Sequence, residues 1–161
     1  MLTDFFKEVL ESGSDSERLL LALVQRAILT AREKRTTHLR EMVGIVGGPM
    51  GDRSGQYEVD ITQFTHNLNQ VAHGGVLAYI ADTAMGSLLH RILPQGISAV
   101  TSEIKMNYIG AIKEGHLVVQ TEVLHLGKRT AVAECKMFKR DGGLVATASA
   151  SFILLNIERN R

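Results

Sequence analysis

Two periodicities run along the chain. Between Gly75 and Pro94, Val76, Leu77, Ile80, Ala81, Ala84, Met85, Leu88, Leu89 and Ile92 recur at helical spacing and cover a broad arc. An arc that wide predicts a helix buried on most of its sides, as when a sheet wraps it. After Gly96 the period changes to two and stays there. Segment 97–109 places Val100, Ile104, Met106 and Tyr108 on one predicted face, with Thr101, Glu103, Lys105 and Asn107 on the other. Segments 116–125, 129–139 and 144–155 continue the alternation, separated by Gly127 and by Asp141-Gly142-Gly143 as hairpin turns. The last strand is rich in small residues, Ala146, Ala148, Ser149, Ala150 and Ser151, which permit close approach of the buried helix or of a second subunit.

The first half is more varied. Residues 4–11 read as a short amphipathic helix. Ser14 and Glu17 have capping-box spacing, just before a helical run from Leu20 to about Arg35 that ends in basic residues. Residues 44–55, rich in glycine, read as strand, turn and strand, and 56–62 alternates cleanly. A helix, a strand, a long helix and then four sequential strands predict an α+β fold with a mainly antiparallel sheet, and argue against βαβ repetition. The expected division is a helical extension over 1–41, one domain over 42–155 and a tail over 156–161.

Composition narrows the function classes. The 161 residues are 45% hydrophobic and 22% charged, the balance of an ordinary globule able to build its own core. Eighteen Lys and Arg against seventeen Asp and Glu give +1, without the basic excess of a dedicated nucleic-acid binder, so no nucleic-acid partner is expected. No window reaches 18 uninterrupted apolar residues, so no membrane partner is expected. Met1–Leu10 lacks a basic leader, an apolar run and a cleavage site, and the expected compartment is the cytoplasm. Cys135, the lone cysteine, reads as a buried strand thiol.

Candidate chemistry gathers in one place. His66–Gly75 is polar and leads straight into the apolar helix, which begins at Gly74-Gly75. Glycines at a helix start leave backbone N–H donors unshielded, with the positive end of the helix behind them. Such donors could hold an anion or polarise a carbonyl; an ordinary turn and cap would use the same residues. Asp82 stands within the apolar helix, where a carboxylate has to be paired, wetted or working. Seven residues after Gly75, it can share the face of the glycine start and act as a base or nucleophile. The six histidines form no ligand pattern, and neither HExxH, GxGxxG nor GxSxG occurs. No metal and no cofactor is expected.

His73–Gly86, together with Asn67, Val100–Tyr108, Leu126–Arg129 and the final strand from Gly143, resembles the hotdog-fold acyl-CoA thioesterases, in particular the phenylacetate-degradation-type (PaaI-like) branch. The likeness covers roughly 42–155. It implies a sheet curled around the long helix and a homo-oligomer, a dimer or a dimer of dimers, with active sites at the dimer interface. It implies hydrolysis of an acyl-CoA thioester to a free acid and CoA, CoA being part of the substrate. Asp82 falls on the family's catalytic carboxylate, Gly74 on the residue whose N–H polarises the thioester carbonyl, and Asn67 on the asparagine that orients it. His73 is the signature histidine, and Thr101 falls where relatives hold a Ser or Thr that steadies the attacking water. Asn67, His73 and Gly74 would come from one subunit, Asp82 and Thr101 from its partner. Gly75, Tyr79, Met106 and Tyr108 are candidates for substrate binding, and Lys128 and Arg129 for the CoA phosphates. The stretch Tyr108–Ile112 lacks the proline common after this strand in the family. The alternatives are a hotdog-fold enoyl-CoA hydratase or dehydratase, which would use a histidine to move a proton, and a non-catalytic acyl-CoA-binding protein.

Overall fold

The computed structural model describes residues 1–157. Three helices open the chain: α1 (Leu2–Ser12), α2 (Asp15–Lys34) and α3 (His38–Val43). The Ser14 side chain accepts from the Glu17 N–H, and the Glu17 carboxylate accepts from the Ser14 N–H, so the capping box starts α2 as its spacing predicts. Helix α3 lies outside the helices that the sequence spacing predicts. It is six residues long, capped by Thr37 and closed by Gly44 at φ 76°, and too short for a periodicity to show. The Arg26 guanidinium on α2 donates to the Glu41 carbonyl of α3. These helices form one compact unit, Met1–Gly44; the second unit begins at Ile45.

The second unit is one six-stranded antiparallel sheet and one long helix. Its strands are β1 (Val46–Pro49), β2 (Ser54–Ile61), β3 (Ile97–Tyr108), β4 (Gly115–Leu126), β5 (Thr130–Lys139) and β6 (Leu144–Asn156). Their order is β1-β2-β4-β5-β6-β3, which leaves β1 and β3 at the edges. Helix α4 (Gly74–Ile92) is about 28 Å long at 1.5 Å per residue. All six strands approach it. Of the tail expected over 156–161, Asn156 ends β6, and the positions from 158 on lie outside the described residues.

The core follows from the patterning. Ile80, Ala81, Ala84, Met85, Leu88 and Leu89 on α4 are fully buried. Each larger one removes apolar surface from water for roughly 1.5–3 kcal/mol. They meet Leu117, Val119 and Val123 of β4, Ala131, Ala133 and Met137 of β5, and the small row Ala146, Ala148 and Ala150 of β6, all buried. The alternation expected for β4 is therefore present. In β3 it is not continuous. Thr101 pairs with Phe152 and Glu103 with Ser151, so Ser102 is an extra residue, a β-bulge. Val100 is 49% exposed while Ile104 and Met106 are half-buried. The single face predicted for Val100, Ile104, Met106 and Tyr108 is therefore corrected: a bulge resets the alternation, and a period-two count cannot see it.

Cys135 is buried on β5, and burial, with a smaller contribution from the Glu134 charge, pushes its thiol up from 9.0 to about 12. The folded chain thus keeps the proton while the unfolded chain ionises above pH 9, so this group's contribution to stability is lost as pH rises through that window. At pH 8 the native thiol should react with a thiol reagent at least 100-fold more slowly than the unfolded chain. Labelling at the unfolded rate would contradict the burial.

Candidate active site

The segment before α4 is held on both sides. Thr65 ends a short 3-10 turn (Gln63–Thr65), and its carbonyl accepts from the His73 N–H at 2.8 Å. The Ala72 N–H donates to the Ile112 carbonyl at 2.8 Å, and the His66 ring bonds the Lys113 carbonyl. Within the loop, Asn67 Oδ1 accepts from the Asn69 N–H at 2.9 Å and from the Val71 N–H at 3.4 Å. That side-chain-to-backbone turn holds Gln70 at φ 57°, a left-handed value uncommon for a non-glycine residue. The Asn67 oxygen is therefore engaged within the loop, leaving its Nδ2 amide to face other groups.

His73 is the N-cap of α4, and its Nδ1 accepts from the Gly75 N–H at 2.9 Å. The His73 carbonyl accepts from Val76 and Leu77. Gly74 N–H has no acceptor among the described residues. It is the one donor of this first turn left for a ligand, at the positive end of a 19-residue helix. The Tyr108 hydroxyl donates to the Gly74 carbonyl at 3.0 Å. Asn67, Gly74 and Tyr108 line one open pocket of about 330 Å³, whose other walls are Val71, Ala72, Leu77 and Ile109–Ala111.

A second cluster lies further along the helix. Asp82 is half-buried, and the Thr101 hydroxyl donates to its Oδ1 at 2.7 Å. Thr101 and Tyr108 are seven residues apart, an odd number that would turn them to opposite faces of a regular strand. The bulge at Ser102, whose hydroxyl donates to the Ser151 carbonyl at 3.0 Å, lets both face α4. The spacing lets Asp82 share the face of the glycine start, but a shared face is not a short distance. Eight residues at 1.5 Å rise put Asp82 about 12 Å from Gly74 along the axis.

The remaining candidates are spread out. Tyr79 is half-buried on α4, and Met106 is half-buried two residues before Tyr108 and on the same side of β3. Lys128 and Arg129 are exposed in the β4–β5 turn. Thr130 pairs with Ile153 and Ile153 with Val100, so that turn lies at the Thr101 end of β3, about two strand spacings or 10 Å across. No group of three or more metal-ligating side chains occurs among the described residues.

A family model described as the thioesterase superfamily matches residues 69–146, the stretch that holds α4, Asp82 and Thr101. The chain belongs to the thioesterase superfamily. It is similar to the BH2602 protein of Bacillus halodurans, whose crystal structure was solved with CoA, at 29% identity and a TM-score of 0.85 over 95% of this chain and 99% of that one. It is also similar to the conserved protein PA5202 of Pseudomonas aeruginosa, at 31% identity and a TM-score of 0.70 over 78% and 99% of the two chains. A curated relative, "Putative esterase SSO1253" of Saccharolobus solfataricus, is 32% identical over 84 residues. That alignment spans 52% of this chain and 55% of the relative, little more than half its length. The six-stranded antiparallel sheet packed on a long helix is the hotdog fold expected from the sequence.

The bulge makes a specific claim about register. Deleting Ser102 leaves Thr101 and Tyr108 six apart, so a regular strand keeps both on the helix side. Deleting Lys105 instead turns either Glu103 inward or Met106 and Tyr108 outward. The first deletion should melt within a few degrees of the parent, and the second should lose about 3 kcal/mol or more. Equal losses in thermal unfolding would contradict this reading of β3.

Proposed function

We propose that this protein hydrolyses acyl-CoA thioesters to a carboxylic acid and CoA. The observation that carries the reading is the Asp82 carboxylate, the one acidic side chain of α4, set midway along the helix and held by the Thr101 hydroxyl in a thioesterase-superfamily chain. With Oδ1 fixed by Thr101, Oδ2 is left to activate water or to attack the thioester carbon itself. The Gly74 N–H, unpaired at a helix start, would stabilise the oxyanion that forms, and the Asn67 amide would help orient the thioester.

The separation of about 12 Å between these groups along one helix is too long for both to act on one carbonyl. Two copies pairing their β3 edges antiparallel would bring the Gly74 end of one chain to the Asp82 end of the other. Two features support such a pairing. β3 is a twelve-residue edge strand. Its helix-facing Ile104 and Met106 are only half-buried, whereas the matching rows of β4 and β5 are fully buried. Lys128 and Arg129, at the Asp82 end, would then meet the CoA phosphates. The reaction needs no metal or redox cofactor.

The pocket beside Gly74 has apolar walls, and none of its lining side chains carries a full charge. An alkyl or aromatic acyl group asks for no charged partner there, whereas a carboxylate would. The substrate class supported is therefore an uncharged acyl-CoA. Hydration or dehydration is less well supported, because His73 Nδ1 already accepts the Gly75 N–H. The neutral ring then carries its proton on Nε2, where it can donate but not abstract.

Asp82→Asn should fold and still bind CoA while losing roughly 10²-fold or more of thiol release; near-normal release would sink the assignment. Across an acyl-CoA panel, hexanoyl or phenylacetyl thioesters should exceed succinyl-CoA about tenfold or more in kcat/KM, because a carboxylate in the pocket would be desolvated without a partner. Parity between them would rule out the uncharged class.

A further inference from the structure

We infer that the Tyr108 hydroxyl is a positioning group for the oxyanion donor, the Gly74 N–H. The inference rests on the hydrolase reading above. A backbone donor works in catalysis only if its peptide plane is fixed before the substrate arrives. The plane that carries the Gly74 N–H also carries the His73 carbonyl, which accepts from Val76 and Leu77. On the other side of the Gly74 Cα, the next plane carries the Gly75 N–H, which donates to His73 Nδ1 at 2.9 Å, and the Gly74 carbonyl, which a glycine without a Cβ leaves free to tilt. Tyr108 restrains the same plane from its carbonyl end. Its hydroxyl donates to the Gly74 carbonyl at 3.0 Å. Its ring lies so close over Gly74 that a Cβ there would stand 3.2 Å from Cζ.

Tyr108 is itself firmly placed. It pairs with Ala146 on β6, and the next two N–H groups, of Ile109 and Gly110, both donate to the Val145 carbonyl at 2.9 Å. At Gly110 a Cβ would come within 2.7 Å of the Leu144 oxygen, so only glycine permits that approach. The bulge at Ser102 turns Tyr108 toward α4. The Tyr108 proton is spent on the Gly74 carbonyl, so the hydroxyl has none to donate to substrate. This clamp is a role beyond the substrate contact expected from the sequence, since Tyr108 also lines the pocket beside Gly74.

Tyr108→Phe removes only the oxygen, at a residue that is 56% exposed, and leaves the ring on Gly74. Its thiol release should be followed across substrate concentration beside the parent chain and Asp82→Asn. The expected result is a kcat about tenfold lower, short of the 10²–10³ lost when an oxyanion donor is removed outright. KM should stay within about twofold, and the melting temperature within a few degrees. A kcat within twofold of the parent, or a loss carried by KM alone, overturns the positioning role while leaving the hydrolase reading intact. Absence of turnover in the parent chain, or full turnover in Asp82→Asn, overturns the hydrolase reading and this inference with it.

Discussion

Burial of α4 leaves its polar groups almost no choice of partner. The helix is apolar nearly all round, and all six strands approach it. The buried rows of β4, β5 and β6 are mostly leucine, valine, methionine and alanine, none of which can answer a carboxylate. The edge strand β3 brings two hydroxyls to it, Thr101 to Asp82 and Tyr108 to Gly74. The cost of leaving a buried polar atom without a partner, on the order of 1–3 kcal/mol, makes the pairing of β3 with α4 a constraint on both elements.

That constraint explains why β3 is irregular. Two hydroxyls an odd number of residues apart cannot both meet the helix from a regular strand. One extra residue, Ser102, reconciles them, and its own hydroxyl is satisfied by the Ser151 carbonyl across the bulge. Bulges concentrate where a side chain has to be re-aimed at a site, and this one lies next to the only hydrogen-bond partner described for Asp82.

The same arrangement divides the chemistry between the two ends of β3. One end has the unpaired Gly74 N–H, the Asn67 amide and an apolar pocket. The other has the carboxylate, its threonine and, across the sheet, a basic turn. Each half is incomplete for acyl transfer, one lacking a base and the other an oxyanion donor. The proposed catalytic unit of two copies would join them. It would also cover the edge strand, which otherwise presents unpaired backbone groups.

Much of this was legible in the sequence. The period of α4, the four following strands, the Ser14 capping box and the polar segment before Gly74 all depend on residues close along the chain, and local spacing reports them directly. The resemblance carried by His73–Gly86 singled out Gly74 and Asp82. Helix α3, six residues long, has too few turns to leave a pattern. The bulge at Ser102 is invisible to a period-two count because only the pairing with β6 defines it. That Tyr108 meets the Gly74 carbonyl depends on a contact across 34 residues, and the 12 Å between donor and base follows only once both are known to lie on one straight helix. Sequence alone determined the elements and the kinds of chemistry they carry, because those rest on local periodicity and residue type. Tertiary structure decided which of those groups meet and which are held apart, because that rests on register and distance.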